Sequence, residues 1–166
     1  MTINAVVRRV RWLSILALAV ACSIGCKSGS EGLVQDFTVV PIDDPAQSVK
    51  LSQFKDKVVL LDFWATWCGP CRQSMPEVQA VWDKYHSKGL EVMSISDEPQ
   101  ATIVSFHRSS PFTYPVYRDA DQIASGLFTQ AGIPAFVLVK DQKVVWQSNG
   151  YAPGIIESAV ADELGH

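Results

Sequence analysis

The sequence predicts an α/β fold, in which one mixed β-sheet carries helices on both faces as a three-layer sandwich. Residues 57–63 are too apolar to alternate between a core face and a solvent face, so we expect a central strand buried on both sides, and residues 90–96 are predicted to form a second central strand. Residues 69–88 between them show apolar side chains at helical spacing. Strands that alternate with helices in this way imply a partly parallel sheet covered on both faces.

The remaining elements follow in chain order on either side of these runs. Before them we predict a strand at 36–40, a turn at 41–45, a hairpin partner at 48–51 and a one-turn connector at 52–57. After them we predict a helix at 100–108, a short strand at 115–118, a helix at 119–130, hairpin strands at 135–140 and 143–147, and a closing helix at 153–164. Pro76 should kink the long helix.

The segment Trp67-Cys68-Gly69-Pro70-Cys71 places two thiols three residues apart, between the first central strand and the long helix. Cys68 is expected at the first turn of that helix, where free backbone N–H groups and the helix dipole favour a thiolate and lower its pKa. Cys71 lies one turn further on the same side and can close a short disulfide with Cys68. Such a pair forms a two-electron couple, in which Cys68 attacks and the more buried Cys71 resolves.

Two other uses of this cysteine pair are less favoured. A C-x-x-C pair also binds zinc, but zinc needs a second ligand pair, and the only other cysteines, Cys22 and Cys26, lie in an apolar N-terminal run. A purely structural disulfide would stabilise little, because a loop with two intervening residues constrains little chain entropy. We therefore predict no metal site and no cofactor beyond a redox-active Cys68–Cys71 disulfide.

Residues 1–26 are typical of a bacterial lipoprotein signal peptide with its anchor. A basic start precedes an apolar core of about ten residues, which is short for a membrane span. The run ends in two lipobox-like segments, so either Cys22 or Cys26 is the lipidated residue. Ser23 is unusual three residues before a lipidated cysteine, which favours Cys22, whereas Gly25 suits the cleavage position before Cys26. The alternatives are an uncleaved anchor helix and a C-x-x-x-C metal or redox pair.

The rest of the chain is predicted to form a flexible tether at 27–35 and a single domain at 36–166. Three of the 14 basic residues lie in residues 1–25, so 11 basic residues remain against 17 acidic ones, a formal net charge of −6. This acidic balance argues against nucleic acid as a partner. The signal predicts a membrane-anchored domain in the bacterial periplasm or cell envelope. Disulfides persist there, so a reducing pair needs electrons from a separate transmembrane donor.

Two motifs resemble the thioredoxin superfamily, and in particular its membrane-tethered TlpA/ResA-like thiol:disulfide oxidoreductases. One is the string at residues 63–72 and the other is the segment at residues 132–134. The resemblance covers about residues 36–164. It implies a thioredoxin-like fold with an N-terminal strand pair and a central insert at about residues 98–118.

The resemblance also implies roles for residues beside the cysteine pair. Pro134 matches the cis-proline of the family, which packs beside the cysteines, and Ile133 would then contact the substrate. The residues alone favour the other reading, a trans turn that opens a strand. We assign Trp67, as an exposed apolar lip, to the substrate-binding surface together with Gly69 and Pro70.

Asp62 lies within the first central strand, where an ionised carboxylate is costly. It matches the buried acid of thioredoxins, which exchanges a proton with the resolving cysteine, and burial should raise its pKa toward neutrality. That family pairs the acid with a lysine, whereas Met93 or Ser94 occupies the place here. A structural acid is the alternative. Glu98 follows the second central strand, where some relatives carry an acid, and we leave it out of the predicted site.

Together these observations predict an extracytoplasmic thiol:disulfide oxidoreductase that reduces protein disulfides, for example in c-type cytochrome maturation, the best-known use of the resembled family. The first alternative is a disulfide oxidase or isomerase, which a histidine between the cysteines would favour, although Pro70 occupies that place. The second is a redox-silent module that binds peptides at the Pro134 groove. A peroxidase-type relative would need a P-x-x-x-T-x-x-C motif that the sequence lacks, and a copper chaperone would need a histidine-bearing ligand set that is not visible.

Overall fold

The computed structural model describes residues 33–110 and 112–165. The predicted signal peptide at 1–26, the two lipidation candidates Cys22 and Cys26, and most of the predicted tether at 27–35 lie outside the described residues. Within the described ranges, no helix has the length and apolar character needed to cross a bilayer.

Among the described residues, seven strands form one mixed sheet. They are β1 (Thr38–Pro41), β2 (Val49–Lys50), β3 (Val58–Phe63), β4 (Leu90–Ser96), β5 (Val116–Arg118), β6 (Ala135–Lys140) and β7 (Lys143–Asn149). Their order across the sheet is β2-β1-β5-β4-β3-β6-β7. The pairs β3–β4 and β4–β5 are parallel and the other pairs are antiparallel. The two predicted central strands are confirmed, because every residue of β3 and β4 is buried.

Four α-helices accompany the sheet in the described part of the chain. They are α1 (Gly69–Tyr85), α2 (Gln100–Ser109), α3 (Ile123–Phe128) and α4 (Ile155–Leu164), and 3-10 turns occur at Leu51–Phe54 and His86–Lys88. The helix predicted at 69–88 therefore divides into α1 and a 3-10 turn. Gly89, with a left-handed φ of 102°, ends that turn.

The strand β3 divides the core into two layers, because successive side chains of a strand point to opposite faces. The side chains packed together with α1 and α4 are Val58, Leu60 and Trp64. Those packed together with α3 and the N-terminal strands are Val59, Leu61 and Phe63. We call these two sides the α1 face and the α3 face. By the same alternation Asp62 lies on the α1 face.

The helix α3 is shorter than the predicted 119–130. Asp119 is fully buried, and its carboxylate accepts hydrogen bonds from the backbone N–H groups of Ile123 (3.2 Å) and Ser125 (2.7 Å). Gln122 adopts a positive φ of 55° immediately before the helix. Asp119 therefore caps the helix from outside instead of contributing to its first turn.

The closing helix also begins later than predicted, at Ile155. Glu77 of α1 explains its start, because the Glu77 carboxylate accepts the backbone N–H groups of Gly154 (2.9 Å), Ile156 (3.0 Å) and Glu157 (3.1 Å). A carboxylate at a helix N-terminus satisfies free donors and complements the helix dipole. This contact fastens α4 to the helix that begins with the cysteine pair.

The predicted N-terminal strand pair and central insert are both present. The pair β1–β2 extends the sheet beyond β5, since β1 aligns antiparallel to both β2 and β5. The insert consists of α2, β5 and the segment between them. Its aromatic side chains pack around Trp64, with ring centroids 5.2 Å away for Phe106 and 6.3 Å away for Phe112. The insert therefore covers the same face of the sheet as α1.

Candidate active site

The cysteine pair begins the helix α1. Cys68 is the N-cap residue, with an extended backbone (φ −80°, ψ 104°), and Pro70 occupies the first turn, where the missing N–H of proline leaves no donor unpaired. The backbone N–H of Cys71 points at the sulfur of Cys68, with an N–Sγ distance of 3.2 Å. Cys68 and Cys71 form a disulfide with their Cα atoms 5.3 Å apart. Opening this bond would leave a Cys68 sulfur at a helix N-terminus with a backbone donor already directed at it, which favours a thiolate.

The two sulfur-bearing residues differ in their surroundings. Cys68 is 5% exposed and Cys71 is 1% exposed, and both pack in the core layer of the α1 face. Trp67, the residue before Cys68, is 74% exposed. A large apolar surface therefore stands beside the less buried cysteine, which is the arrangement expected for docking of a protein substrate. Trp64 is buried in the core.

Glu98 holds the loop that leads to Cys68. Its carboxylate accepts hydrogen bonds from the backbone N–H of Thr66 (2.7 Å), the Thr66 hydroxyl (2.8 Å) and the Ser96 hydroxyl (3.2 Å). Arg118 donates to the Glu98 backbone carbonyl at 3.2 Å. Thr66 is two residues from Cys68, so Glu98, which is not among the predicted site residues, borders the cysteine loop. The available signal was its place after β4, since functional residues in sheets of this kind gather at the carboxyl ends of parallel strands.

Asp62 is 2% exposed and lies opposite Ser94 on β4, whose hydroxyl donates to Asp62 Oδ2 at 2.9 Å. Burial raises the pKa of Asp62 to about 7, and the Ser94 hydrogen bond opposes that rise. Met93 and Ser94 were the two candidates for the place where thioredoxins carry a lysine beside this acid. Ser94 occupies that place, because Met93 packs on the α3 face. Asp62 is thus a carboxyl group that can change its protonation state near neutral pH.

The peptide bond between Ile133 and Pro134 is cis, as the family resemblance implied. Gly132 before it has a φ of 98°, and the Pro134 carbonyl accepts the backbone N–H of Gly150 at 2.8 Å. Ala135 pairs with Phe63, the last residue of β3. The proline loop, which precedes β6, and the cysteine loop, which follows β3, therefore lie at the same end of these neighbouring strands.

Two open cavities flank the start of α1 on the insert side. One, of about 570 Å³, has an apolar wall that includes Met75, Pro76 and Phe112. The other, of about 680 Å³, is lined by polar side chains that include Thr66 and Ser105. Arg72 and Phe106 line both cavities, and the Arg72 guanidinium lies 5.9 Å from the centre of the Phe106 ring. Gly69 lines the first cavity and Thr66 lines the second, so both border the loop that carries Cys68.

The described residues contain no group of three or more His, Cys, Asp or Glu side chains arranged to hold a metal ion. The predicted site residues that the structure describes lie in three places. Cys68, Cys71, Trp67, Gly69 and Pro70 lie at the start of α1, while Ile133 and Pro134 form the adjacent loop and Asp62 lies beneath, on β3.

The fold and the disulfide at the start of α1 define a thioredoxin-like α/β protein with a cysteine-pair site. The sequence matches the AhpC/TSA family over residues 32–148, and the chain belongs to that family.

The chain is similar to several proteins of known name. The thiol-disulfide oxidoreductase ResA of Bacillus thuringiensis (strain Al Hakam) is 34% identical over 117 residues, which are 69% of this chain and 66% of the relative. The chain thus spans slightly less than two thirds of that protein. A putative thiol:disulfide interchange protein DsbE from Chlorobium tepidum is 31% identical with a TM-score of 0.74, over 81% of this chain and 97% of the other. The thioredoxin domain of a thiol-disulfide oxidoreductase from Bacteroides vulgatus, 20% identical, has a TM-score of 0.70 over 81% and 97% of the two chains, and supports the fold.

Proposed function

We propose that this protein is a thiol-disulfide oxidoreductase that reduces protein disulfides outside the cytoplasm. The observation that carries the proposal is the Cys68 sulfur at the N-cap of α1, with the Cys71 N–H directed at it from 3.2 Å. This position stabilises the thiolate that must attack. Cys71 is close enough to form a disulfide with Cys68 and can therefore resolve the mixed disulfide. The names of the ResA and DsbE relatives support the same chemistry.

The reaction proceeds by two exchanges at sulfur. The Cys68 thiolate attacks one sulfur of a substrate disulfide, which forms a mixed disulfide and releases the other substrate sulfur as a thiolate. Cys71 then gives up its proton, and its thiolate attacks Cys68 Sγ. This attack closes the Cys68–Cys71 disulfide and releases the second substrate thiolate. Two electrons pass to the substrate, and a donor must return two electrons to the protein.

The residues around the pair have distinct tasks in this scheme. Asp62 accepts the Cys71 proton, because its pKa of about 7 allows both protonation states near neutral pH. Trp67 offers apolar contact beside Cys68, and the Ile133–Pro134 loop, which leads into β6 next to the end of β3, contacts the substrate backbone. No further cofactor is required, since the electrons reside in the cysteine pair itself.

The location and partners of the protein follow from the N-terminal sequence. A lipoprotein signal that ends at Cys22 or Cys26 would place the domain at the outer surface of a membrane, in the periplasm or cell envelope. Disulfide-containing proteins are then its substrates, and maturation of c-type cytochromes is one such task. A separate transmembrane protein supplies electrons, because disulfides persist in that compartment.

The reduction potential of the Cys68–Cys71 pair tests the direction of the reaction. Equilibration of the purified protein in dithiothreitol or glutathione buffers should give a value close to that of thioredoxin, about −270 mV. A value near about −120 mV, as in strong oxidants, would instead favour the disulfide-forming alternative. Cys71→Ser should accumulate a mixed disulfide with a model disulfide substrate, seen as a band on non-reducing gels, and its matched control Cys68→Ser should not.

The peptide-binding alternative makes the opposite forecast for the same variants. If the pair shows no redox equilibrium, and Cys68→Ser binds a model peptide as well as the wild type does, the oxidoreductase proposal is wrong. The exposed Trp67 and the cavities beside Arg72 would then form a peptide-binding surface that has no redox role.

A further inference from the structure

Two buried oxygen atoms near the cysteine pair have no hydrogen-bond partner among the described residues. Asp62 uses Oδ2 to accept from Ser94, but its Oδ1 atom is unpaired. The hydroxyl of Tyr114 is also unpaired, although Tyr114 is only 2% exposed. Most buried polar atoms in folded proteins are paired, since an unpaired one is costly. Trp64 Nε1 and His107 Nδ1 are also unpaired. Among these atoms, the Asp62 carboxylate oxygen is an acceptor and the Tyr114 hydroxyl is a donor in the same core layer, so the two can satisfy each other.

Strand register places these two residues close together on the sheet. Asp62 on β3 aligns with Ser94 on β4, and Ser94 aligns with Val116 on β5. Tyr114 precedes Val116 by two residues, and the Pro115 carbonyl between them accepts the backbone N–H of Ser94 at 3.2 Å. Side chains two residues apart share a face, so Tyr114 lies on the same α1 face as Val116. Val116 is the β5 residue in register with Ser94 and Asp62, and Tyr114 lies two residues before it.

The electrostatics of the α1 face agree with this placement. Burial is the main cause that raises the pKa of Tyr114, and the negative charge of Asp62 raises it further, so the phenol stays protonated and keeps a proton to donate. On β6, the strand on the other side of β3, Asp62 aligns with Phe136, whose side chain has no polar atom. Among the described residues, the other titratable or charged side chains around this face include Cys68 and Cys71, Tyr85, Tyr151 with its partner Glu77, His107 and Arg72.

We propose that Tyr114 is a positioning residue for Asp62, whose hydroxyl donates a hydrogen bond to the Asp62 carboxylate, directly or through one water molecule, when that carboxylate is charged. Tyr114 comes from the insert, so the insert supplies to the buried acid the second donor that Ser94 alone does not provide. This inference rests on the proposed oxidoreductase function.

The step in question is the resolution of the mixed disulfide. The Cys71 thiol transfers its proton to the Asp62 carboxylate, which becomes a neutral carboxylic acid. The Cys71 thiolate then attacks Cys68 Sγ, the Cys68–substrate sulfur bond breaks, and the substrate leaves as a thiolate. Tyr114 exchanges no proton in this step. It stabilises the charged form of Asp62, which is the form that accepts the proton.

A two-phase reaction of the reduced full-length protein isolates this step. The probe is a symmetric nitroaryl disulfide, each half of which absorbs light when it is released as a thiolate. The first release reports attack by Cys68, and the second reports resolution by Cys71. In the wild type, the rate of the second release should rise with pH through the pKa of Asp62, about 7.

Tyr114→Phe should move the midpoint of that second pH profile upward by about one unit, the size expected when a charged group loses one hydrogen bond. At about pH 6 the second release should then slow roughly tenfold, while at high pH the two proteins should converge. Ser94→Ala should shift the profile in the same direction. The matched control is Tyr117→Phe, because Tyr117 is a buried tyrosine near Tyr114 whose side chain packs on the α3 face.

The outcomes separate this inference from the function on which it rests. If the first release is missing in the wild type, the oxidoreductase proposal fails. If the first release is normal but Tyr114→Phe keeps the wild-type profile of the second, Tyr114 has no positioning role and the inference is overturned. A shift of equal size in Tyr117→Phe would overturn it as well, since the effect would then be general to buried tyrosines.

A second measurement needs no change at Tyr114, in case that variant fails to fold. In wild-type protein with ¹³C-labelled tyrosine rings, the Tyr114 signal should move with pH at the midpoint set by Asp62, about 7. The same movement should be absent in Asp62→Asn. A Tyr114 signal that does not change across this pH range in the wild type would contradict the contact.

Discussion

At the scale of single residues, Asp62 links the chemistry of the site to the stability of the fold. Its native pKa of about 7 stands above the ordinary value of 3.8, because it is buried. Between these two values the native chain holds a proton that the unfolded chain has released. The free energy of unfolding therefore falls as pH rises through this window, by at most roughly 4 kcal/mol from this group. The protein thus carries a stability penalty at neutral pH for a residue suited to proton transfer.

Replacing Asp62 by Asn should remove this pH dependence. Relative to the wild type, Asp62→Asn should gain stability between about pH 4 and pH 7, approaching roughly 4 kcal/mol at the upper end. Urea unfolding of the oxidised proteins at a series of pH values measures the difference. Asp121→Asn serves as the control, because Asp121 is exposed to solvent. If the difference in the free energy of unfolding between the wild type and Asp62→Asn stayed constant with pH, the native pKa of Asp62 would not be raised.

The partners of Asp62 show what the sequence could not predict at this scale. The apolar run around Asp62 predicted burial, and the resemblance to thioredoxins implied its role. Its neighbour on β4 could be either Met93 or Ser94, because a shift of one residue in register exchanges the two faces of a strand. Only the register observed between β3 and β4 selects Ser94. Tyr114 requires the further register between β4 and β5, which crosses an insert of unpredictable path.

At the scale of elements, the cysteine loop depends on a contact from the end of another strand. Glu98 follows β4 and binds both the backbone N–H and the hydroxyl of Thr66. Without this carboxylate, the Thr66 N–H loses a charged acceptor in a partly buried place, which costs about 1–3 kcal/mol. The position of Cys68 at the start of α1 would then be less well defined.

Glu98→Ala should therefore slow the attack of Cys68 on a disulfide by about tenfold, since small errors in the placement of reacting groups reduce rates strongly. The first phase of the nitroaryl disulfide reaction measures this rate. Glu98→Gln should recover most of it, because the amide oxygen still accepts a hydrogen bond from Thr66. Asp97→Asn is the matched control, as Asp97 is the exposed neighbouring acid and accepts only from Gln122 among the hydrogen bonds described. Equal rates in Glu98→Ala and the wild type would show that the contact between Glu98 and Thr66 has no effect on the reactivity of Cys68.

Elements with a strong local pattern were predicted well, and those defined by distant contacts were not. The buried runs at 57–63 and 90–96 and the helix start after the cysteine motif appear where the sequence placed them. The helix predicted at 119–130 begins only at Ile123, because the Asp119 side chain takes over the N–H groups that a first turn would leave free. The start of α4 depends on Glu77, which is more than seventy residues away in the chain. Propensity and periodicity contain no information about such contacts.

At the scale of the whole molecule, the N-terminal strand pair is part of the core that supports the site. The resemblance predicted it as an addition to the fold, and the structure places β1 inside the sheet, between β2 and β5. Phe37, just before β1, is 3% exposed and packs against Phe128 of α3, with ring centroids 6.5 Å apart. Phe128 in turn contacts Phe63 at the end of β3, with ring centroids 5.7 Å apart. A continuous apolar layer thus connects the N-terminal segment to the strand that leads into the cysteine loop.

Removing the Phe37 ring should therefore weaken the whole domain, not the strand pair alone. We expect Phe37→Ala to lower the free energy of unfolding by about 3–5 kcal/mol, the usual effect of deleting a buried aromatic ring. Tryptophan fluorescence, to which Trp64 and Trp67 beside the cysteine pair contribute, and far-ultraviolet circular dichroism should report the same lowered urea midpoint, as a single cooperative unit requires. Leu33→Ala is the control, because Leu33 is 65% exposed and its loss should change stability by less than about 0.5 kcal/mol. If the fluorescence midpoint of Phe37→Ala stayed at the wild-type value while the dichroism signal changed earlier, the strand pair would unfold separately and the cysteine site would not depend on it.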